Sequence, residues 1–194
     1  PESEVKWWTS IYETPKEVLE FVEWMVPRYP DFMELFLKID GSVQGGSVAN
    51  DLVTLKEFEA GLLGLGCNKF AGPNEKQSIV TVFRWLDPTS EGTISKGEWG
   101  CLKYLYSEIR LAIGEFVRFL KRTVGPSLEM WWRVLDVDGS GAISYQEWVK
   151  VCVRRGFHGA MRQVFNFLDK DDAKSISYVE FQELTQYVDR PLTA

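Results

Sequence analysis

The chain has 194 residues, 45% apolar and 14% aromatic, enough for one large hydrophobic core or two small ones, and its formal charge of −6 is too low for a disordered chain. That balance leaves no surplus of cations to neutralise phosphates, which argues against a nucleic-acid or anionic-membrane binder and suits the binding of cations. The three cysteines, Cys67, Cys101 and Cys152, lack C-x-x-C spacing and read as apolar packing residues of an intracellular, cytoplasmic protein.

In chain order, residues 1–29 read as an N-terminal extension. Trp7 and Trp8, followed by Ile11 and Tyr12, are predicted to dock across the chain's own lobe or onto a partner. Thr14-Pro15-Lys16-Glu17 is a capping box with Pro at the first helical position; it predicts a helix running to about Val26 and stopped by Pro27 and Pro30. Further helices are predicted at 31–39, 55–65, 74–86, 95–122, 127–135, 144–153, 158–168 and 177–187. Gly66, Gly72-Pro73, Gly125-Pro126 and Gly156 break them, since Gly permits positive φ and Pro cannot continue a helix. Only short extended stretches fit at Val53, Ile94, Ile143 and Ile176, so the fold class is all-α. No apolar run approaches the roughly 18 residues of a membrane span, and no charged-then-apolar signal segment opens the chain as it stands.

A pattern recurs four times: an aromatic, an Asp four residues later, a β-branched residue, then Glu and an aromatic. The copies are Phe36, Asp40, Val53, Glu57, Phe58; Phe83, Asp87, Ile94, Glu98, Trp99; Trp132, Asp136, Ile143, Glu147, Trp148; and Phe165, Asp169, Ile176, Glu180, Phe181. Asp to Glu spans twelve residues in the last three copies and eighteen in the first, which carries a six-residue insertion within residues 41–51 and has Gly45 and Gly46 where acids would be expected.

The third copy offers a complete set of hard oxygen donors at the spacing with which a flexible loop wraps a cation. Asp136, Asp138 and Ser140 supply one rim, Gly141 the sharp turn, the Ala142 carbonyl and Ser144 the next donors, and Glu147 closes the site with both oxygens. Without thiolate or imidazole, the set suits Ca²⁺, with Mg²⁺ as the competing ion. Here the sequence resembles the EF-hand superfamily, and the third loop matches its motif at every informative position.

The second loop, with Asp87, Thr89, Glu91, Thr93, Ser95 and Glu98, keeps both anchoring acids and Gly92, but has Thr where a third-position carboxylate or amide is usual. The fourth, with Asp169, Asp171, Ser175, Ser177 and Glu180, has Ala173 at the fifth position and Lys174 where the turn needs Gly, so it ranks below the second. In the first, Asp40, Asn50, Asp51 and Glu57 have no assignable register.

The resemblance implies four helix-loop-helix units in two pairs, first with second through Val53 and Ile94, third with fourth through Ile143 and Ile176. The domains are then 1–29, an N-terminal pair at 30–105, a linker helix at 106–125 and a C-terminal pair at 126–194. Trp85, Trp99, Trp131, Trp132 and Trp148 are expected to fill the lobes.

In the linker region Leu105, Ile109, Ala112, Ile113, Phe116 and Leu120 fall on one stripe, opposite Lys103, Arg110, Arg118, Lys121 and Arg122. This amphipathic helix is read as packing on its own lobes; the alternatives are membrane or partner contact through 103–122, or a self-inhibitory segment. The functional expectation is a Ca²⁺ sensor or regulatory subunit acting on a helical protein target or within a larger assembly. A constitutive light-chain-like adaptor and a Ca²⁺ buffer are the alternatives. No catalysis is expected: His158 is the sole histidine, and neither G-x-S-x-G nor G-x-x-x-x-G-K occurs.

Overall fold

The computed structural model describes residues 13–40, 50–171 and 173–188. The expectations for Trp7, Trp8, Ile11, Tyr12, Gly45 and Gly46 lie outside them. The molecule is mostly helical and divides into two compact units, Pro1–Tyr106 and Ser107–Ala194.

The first unit opens with α1 (Lys16–Met25), whose Val18, Phe21, Val22 and Met25 are wholly buried. Pro15 precedes the helix in an extended conformation (φ −57, ψ 149), and the end carries no side-chain cap bond. The predicted capping box at Thr14 is thus displaced: a proline's fixed φ suits either side of a helix boundary, and here ψ sets Pro15 outside. In α2 (Phe32–Ile39) the cap is Asp31, whose carboxylate accepts the Met33 amide at 2.9 Å. After the inserted loop come β1 (Leu52–Thr54) and α3 (Leu55–Gly64), then α4 (Glu75–Leu86), β2 (Thr93–Ser95) and α5 (Lys96–Trp99).

β1 and β2 pair antiparallel with Val53 opposite Ile94, both fully buried. The core beneath is aromatic: Phe21, Phe36 and Phe58 each meet Trp99 at steep ring angles with centroids 5.5–6.3 Å apart. The Trp99 indole N–H donates to the Phe32 carbonyl at 2.7 Å, so the buried polar handle is satisfied.

Gly100 interrupts the helix expected over 95–122, and α6 (Cys101–Thr123) begins after it; the boundary between units falls within α6. In the second unit α6 is followed by α7 (Leu128–Leu135), β3 (Ala142–Ser144), α8 (Tyr145–Arg154), α9 (Met161–Leu168), β4 (Ser175–Ser177) and α10 (Tyr178–Phe181), with a 3₁₀ turn at Gln182–Tyr187. β3 pairs antiparallel with β4, with Ile143 opposite Ile176.

The predicted apolar stripe of α6 is buried throughout, and Arg118 and Arg122 are exposed on its outer side. Burying Ile113, Phe116 and Leu120 completely contributes about 1.5–3 kcal/mol each.

Two predicted elements differ in extent. The helix expected from His158 starts at Met161, because residues 157–160 fold back to bury Phe157. A Cβ on Gly159 would lie 2.6 Å from the Phe157 ring, so that close turn needs the glycine. The helix expected over 177–187 changes to the tighter 3₁₀ form at Gln182, where Leu184 enters the core. Trp99, Trp131 and Trp148 are fully buried, whereas Trp85 and Trp132 are half-buried.

Candidate metal centre

Each of the four loops is built between a helix that ends on an Asp and a strand that runs into a capped helix. The cap is the same in all. Thr54, Ser95, Ser144 and Ser177 each accept the backbone N–H three residues on, and Glu57, Glu98, Glu147 and Glu180 return one carboxylate oxygen to the cap residue's amide and hydroxyl. One oxygen of each closing Glu is thereby fixed at the loop rim by helix capping alone.

The turn is also shared. The amides of Asp51, Gly92, Gly141 and Lys174 donate to Oδ2 of Asp40, Asp87, Asp136 and Asp169 at 2.9, 2.8, 3.2 and 3.2 Å. All four donors have positive φ, 65, 81, 83 and 63. These bonds supply the register that the first loop's sequence withheld: Asp51 takes the place of Gly92 and Gly141, so the inserted residues lie between Asp40 and Asn50.

In the third loop, carboxylate oxygens of Asp136, Asp138 and Glu147 all lie within 4.8 Å of one another. Glu147 Oε1 accepts the Val137 and Asp138 amides at 3.1 and 3.2 Å, and Oε2 accepts the Ser144 amide and hydroxyl at 2.9 and 2.7 Å. Asp138 Oδ1 accepts the Ser140 amide at 2.9 Å.

These bonds set the charge state. The Ser140 hydroxyl and amide hold the Asp138 carboxyl below its ordinary value. Burial pushes Glu147 upward, but the Ser144 hydroxyl and amide, with the Asp138 amide, outweigh it and leave the carboxyl depressed. Both favour the ionised, ligating form. Asp136 Oδ1 is buried and accepts no hydrogen bond. A buried carboxylate oxygen without a donor is costly, and a cation satisfies it. The donor set, all oxygen and rich in carboxylate, fits Ca²⁺.

The fourth loop brings Asp169, Asp171 and Glu180 together in the same way, again within 4.8 Å. Glu180 Oε1 accepts the Lys170 amide at 2.8 Å, and Oε2 accepts the Ser177 amide and hydroxyl at 2.7 and 2.6 Å. Burial raises the Glu180 carboxyl, and the Ser177 and Lys170 donors more than offset it, so it too is depressed. Lys170 also pairs through its ammonium with Glu183.

Among the described residues the first and second loops form no such trio. In the second, Asp87 Oδ1 accepts the Thr89 hydroxyl at 3.2 Å and the Glu91 amide at 3.0 Å, while the hydrogen bonds of Glu98 stay within its capping box at Ser95. Thr93 lies in β2 opposite Thr54, and Ser175 in β4 opposite Ser144. In the first loop, the exposed Asp51 carboxylate pairs with Lys96 at 2.5 Å. Three acids thus converge in the fourth loop as in the third, whereas the second has Thr89 at the position of Asp171.

Residues 126–186 match the family model described as an EF-hand domain pair. Both acidic clusters fall within the matched stretch, which supports a calcium-binding EF-hand pair there. No curated protein matches the chain.

Proposed function

We propose that this protein is a Ca²⁺-responsive regulatory subunit that takes up the ion in its C-terminal pair, first at the third loop through Asp136, Asp138, Ser140, Ala142, Ser144 and Glu147, and then at the fourth. The observation that carries this is the dual engagement of Glu147. One oxygen belongs to the start of α8, and the other reaches the amides at the exit of α7. A cation entering the loop competes with those amides for Oε1 and so couples its own binding to the position of α8. The next residue, Trp148, carries that displacement into the core, where its ring lies tilted against Phe116 with centroids 4.5 Å apart.

The first unit is read as a second pair of the same kind, chiefly architectural. The partner is a helical protein segment or a larger assembly, inside the cell, where the three buried free thiols persist. No helix among the described residues is long and apolar enough to cross a membrane. EF-hand proteins are typically non-enzymatic, and the single histidine, His158, is exposed.

Calorimetry and tryptophan fluorescence test the reading together. Ca²⁺ added to chelated protein is expected to release or take up heat and to change the emission of Trp132 and Trp148. Glu147→Gln should weaken the tightest step about a hundredfold, ~2.7 kcal/mol. No heat up to millimolar Ca²⁺ would remove the proposal. Heat without any change in emission or helix content would favour the constitutive adaptor.

A further inference from the structure

Each unit contains a helix that belongs to neither of its loops yet fills the apolar face of its helix-loop-helix pair. In the first, Phe21 of α1 meets Phe58 edge-on at 5.7 Å and Trp99 at 5.9 Å. In the second, Phe116 of α6 lies 4.5 Å from Trp148 and 5.3 Å from Phe157, and Phe119 lies 4.9 Å from Phe157. The contacts correspond, because Phe58 and Trp148 directly follow the closing glutamates Glu57 and Glu147. Phe21 and Phe116 are both completely buried.

The sequence around them repeats as well. Glu20-Phe21-Val22 and Glu115-Phe116-Val117 are followed by Pro30-Asp31 and Pro126-Ser127, and each proline stands ten residues ahead of its loop's opening acid, Asp40 or Asp136. Asp31 and Ser127 then play the same part as N-caps of α2 and α7.

We infer that the second half of α6, residues 113–121, is the built-in occupant of the C-terminal pair's apolar face, as α1 is in the first unit, and that it stays in place when the loops take up Ca²⁺. The repeating unit is then five helices, and the aromatic face of the pair is closed to a separate target helix. Ile109, Ala112, Ile113, Phe116 and Leu120 follow the spacing with which an amphipathic helix fills a groove, and all are buried. Polar clasps hold the helix at its end: the Lys121 ammonium donates to the Val188 carbonyl, and the Arg155 guanidinium donates to the Thr123 carbonyl at 3.1 Å. A Ca²⁺ signal then emerges as a shift of Trp148 against the seated α6 rather than as an uncovered groove. The cover itself does not depend on ion binding.

Hydrogen exchange on the full chain, in chelator and in saturating Ca²⁺, tests this beside calorimetry on the same samples. The amides of residues 113–121 are expected to be protected in both states, with rates differing by less than tenfold, and a labelled peptide of residues 109–123 should not bind the wild type in either. Phe116→Ala should raise exchange in 113–121 by tenfold or more and admit the peptide. A Ca²⁺-dependent rise of tenfold or more in the wild type, or uptake of the peptide by the wild type, would overturn the inference. So would a folded Phe116→Ala with unchanged exchange. If that variant does not fold, the wild-type exchange and peptide measurements decide alone. If calorimetry shows no ion binding, the functional proposal fails, while the chelator arm still reports on the cover: protection upholds it and rapid exchange ends it.

Discussion

The loops of the two units share a scaffold and differ in what hangs on it. All four have the capping box at the strand-to-helix junction and the sixth-position amide bonded to the opening Asp. Only the third and fourth bring three carboxylates within 4.8 Å among the described residues. The scaffold is thus a product of backbone hydrogen bonds and helix capping, and it survives without a full ligand set. Its preservation in the first unit follows from packing: Val53 and Ile94 must meet in the core, and the loops hold them there.

If the missing third-position acid is what separates the second loop from the third, restoring it should erase most of the difference. Thr89→Asp places a carboxylate two residues from Asp87, on a side chain that is exposed and bonded to Asp87. Its Ca²⁺ affinity should tighten about tenfold or more, ~1.4 kcal/mol, read as an additional or strengthened calorimetric step. In chelator the added charge should destabilise the protein slightly. An unchanged isotherm would show that the second loop is limited by Glu98, held within its capping box, instead of by the missing acid.

A smaller effect separates the third loop from the fourth. Lys174 holds the turn at φ +63, where Gly141 sits at φ +83 without steric cost. The left-handed conformation costs a non-glycine residue about 1 kcal/mol or more, partly offset by the greater freedom of glycine in the unfolded chain. Lys174→Gly should therefore stabilise the protein by about 0.5 kcal/mol, a melting-temperature rise of about 1–2 °C. It should also bring the fourth loop's affinity closer to that of the third. Destabilisation would mean that the Lys174 side chain contributes more than its backbone strain removes.

How much of this was legible in the sequence depended on whether the information was local. The third loop could be read whole, because every donor lies within twelve residues at fixed spacing. The β-bridge residues Val53, Ile94, Ile143 and Ile176 were equally plain, being tied to the same motif. The register of the first loop was not, since Asp51 is identified as the turn residue only by its amide reaching Asp40 across the insertion. The start of α9 was misjudged because nothing near His158 announces that Phe157 will turn back under Phe116 and Phe119. The convergence of Asp169, Asp171 and Glu180 was less plain, because Ala173 and Lys174 interrupt the motif between them.

The smallest expected effect offers the most direct reading of the two units separately. Burial pushes the thiols of Cys67, Cys101 and Cys152 up to about 11, 12 and 12, away from the thiolate that reacts. The sign follows: an unfolded thiol ionises near 8.5, so the stabilisation from keeping these thiols neutral is complete below that pH and is lost as pH rises toward the folded values. Near pH 8 a disulfide reagent should consume none of the three rapidly, and labelling should track local opening. Cys152 lies in α8, between the third loop and α9, whereas Cys67 and Cys101 lie in the first unit. Ca²⁺ is therefore expected to slow labelling of Cys152 severalfold and to leave Cys67 and Cys101 nearly unchanged, as peptide mapping of the labelled chain would show. Equal slowing of all three would break the comparison, because it would require either an ion in the first unit's loops or opening of both units as one.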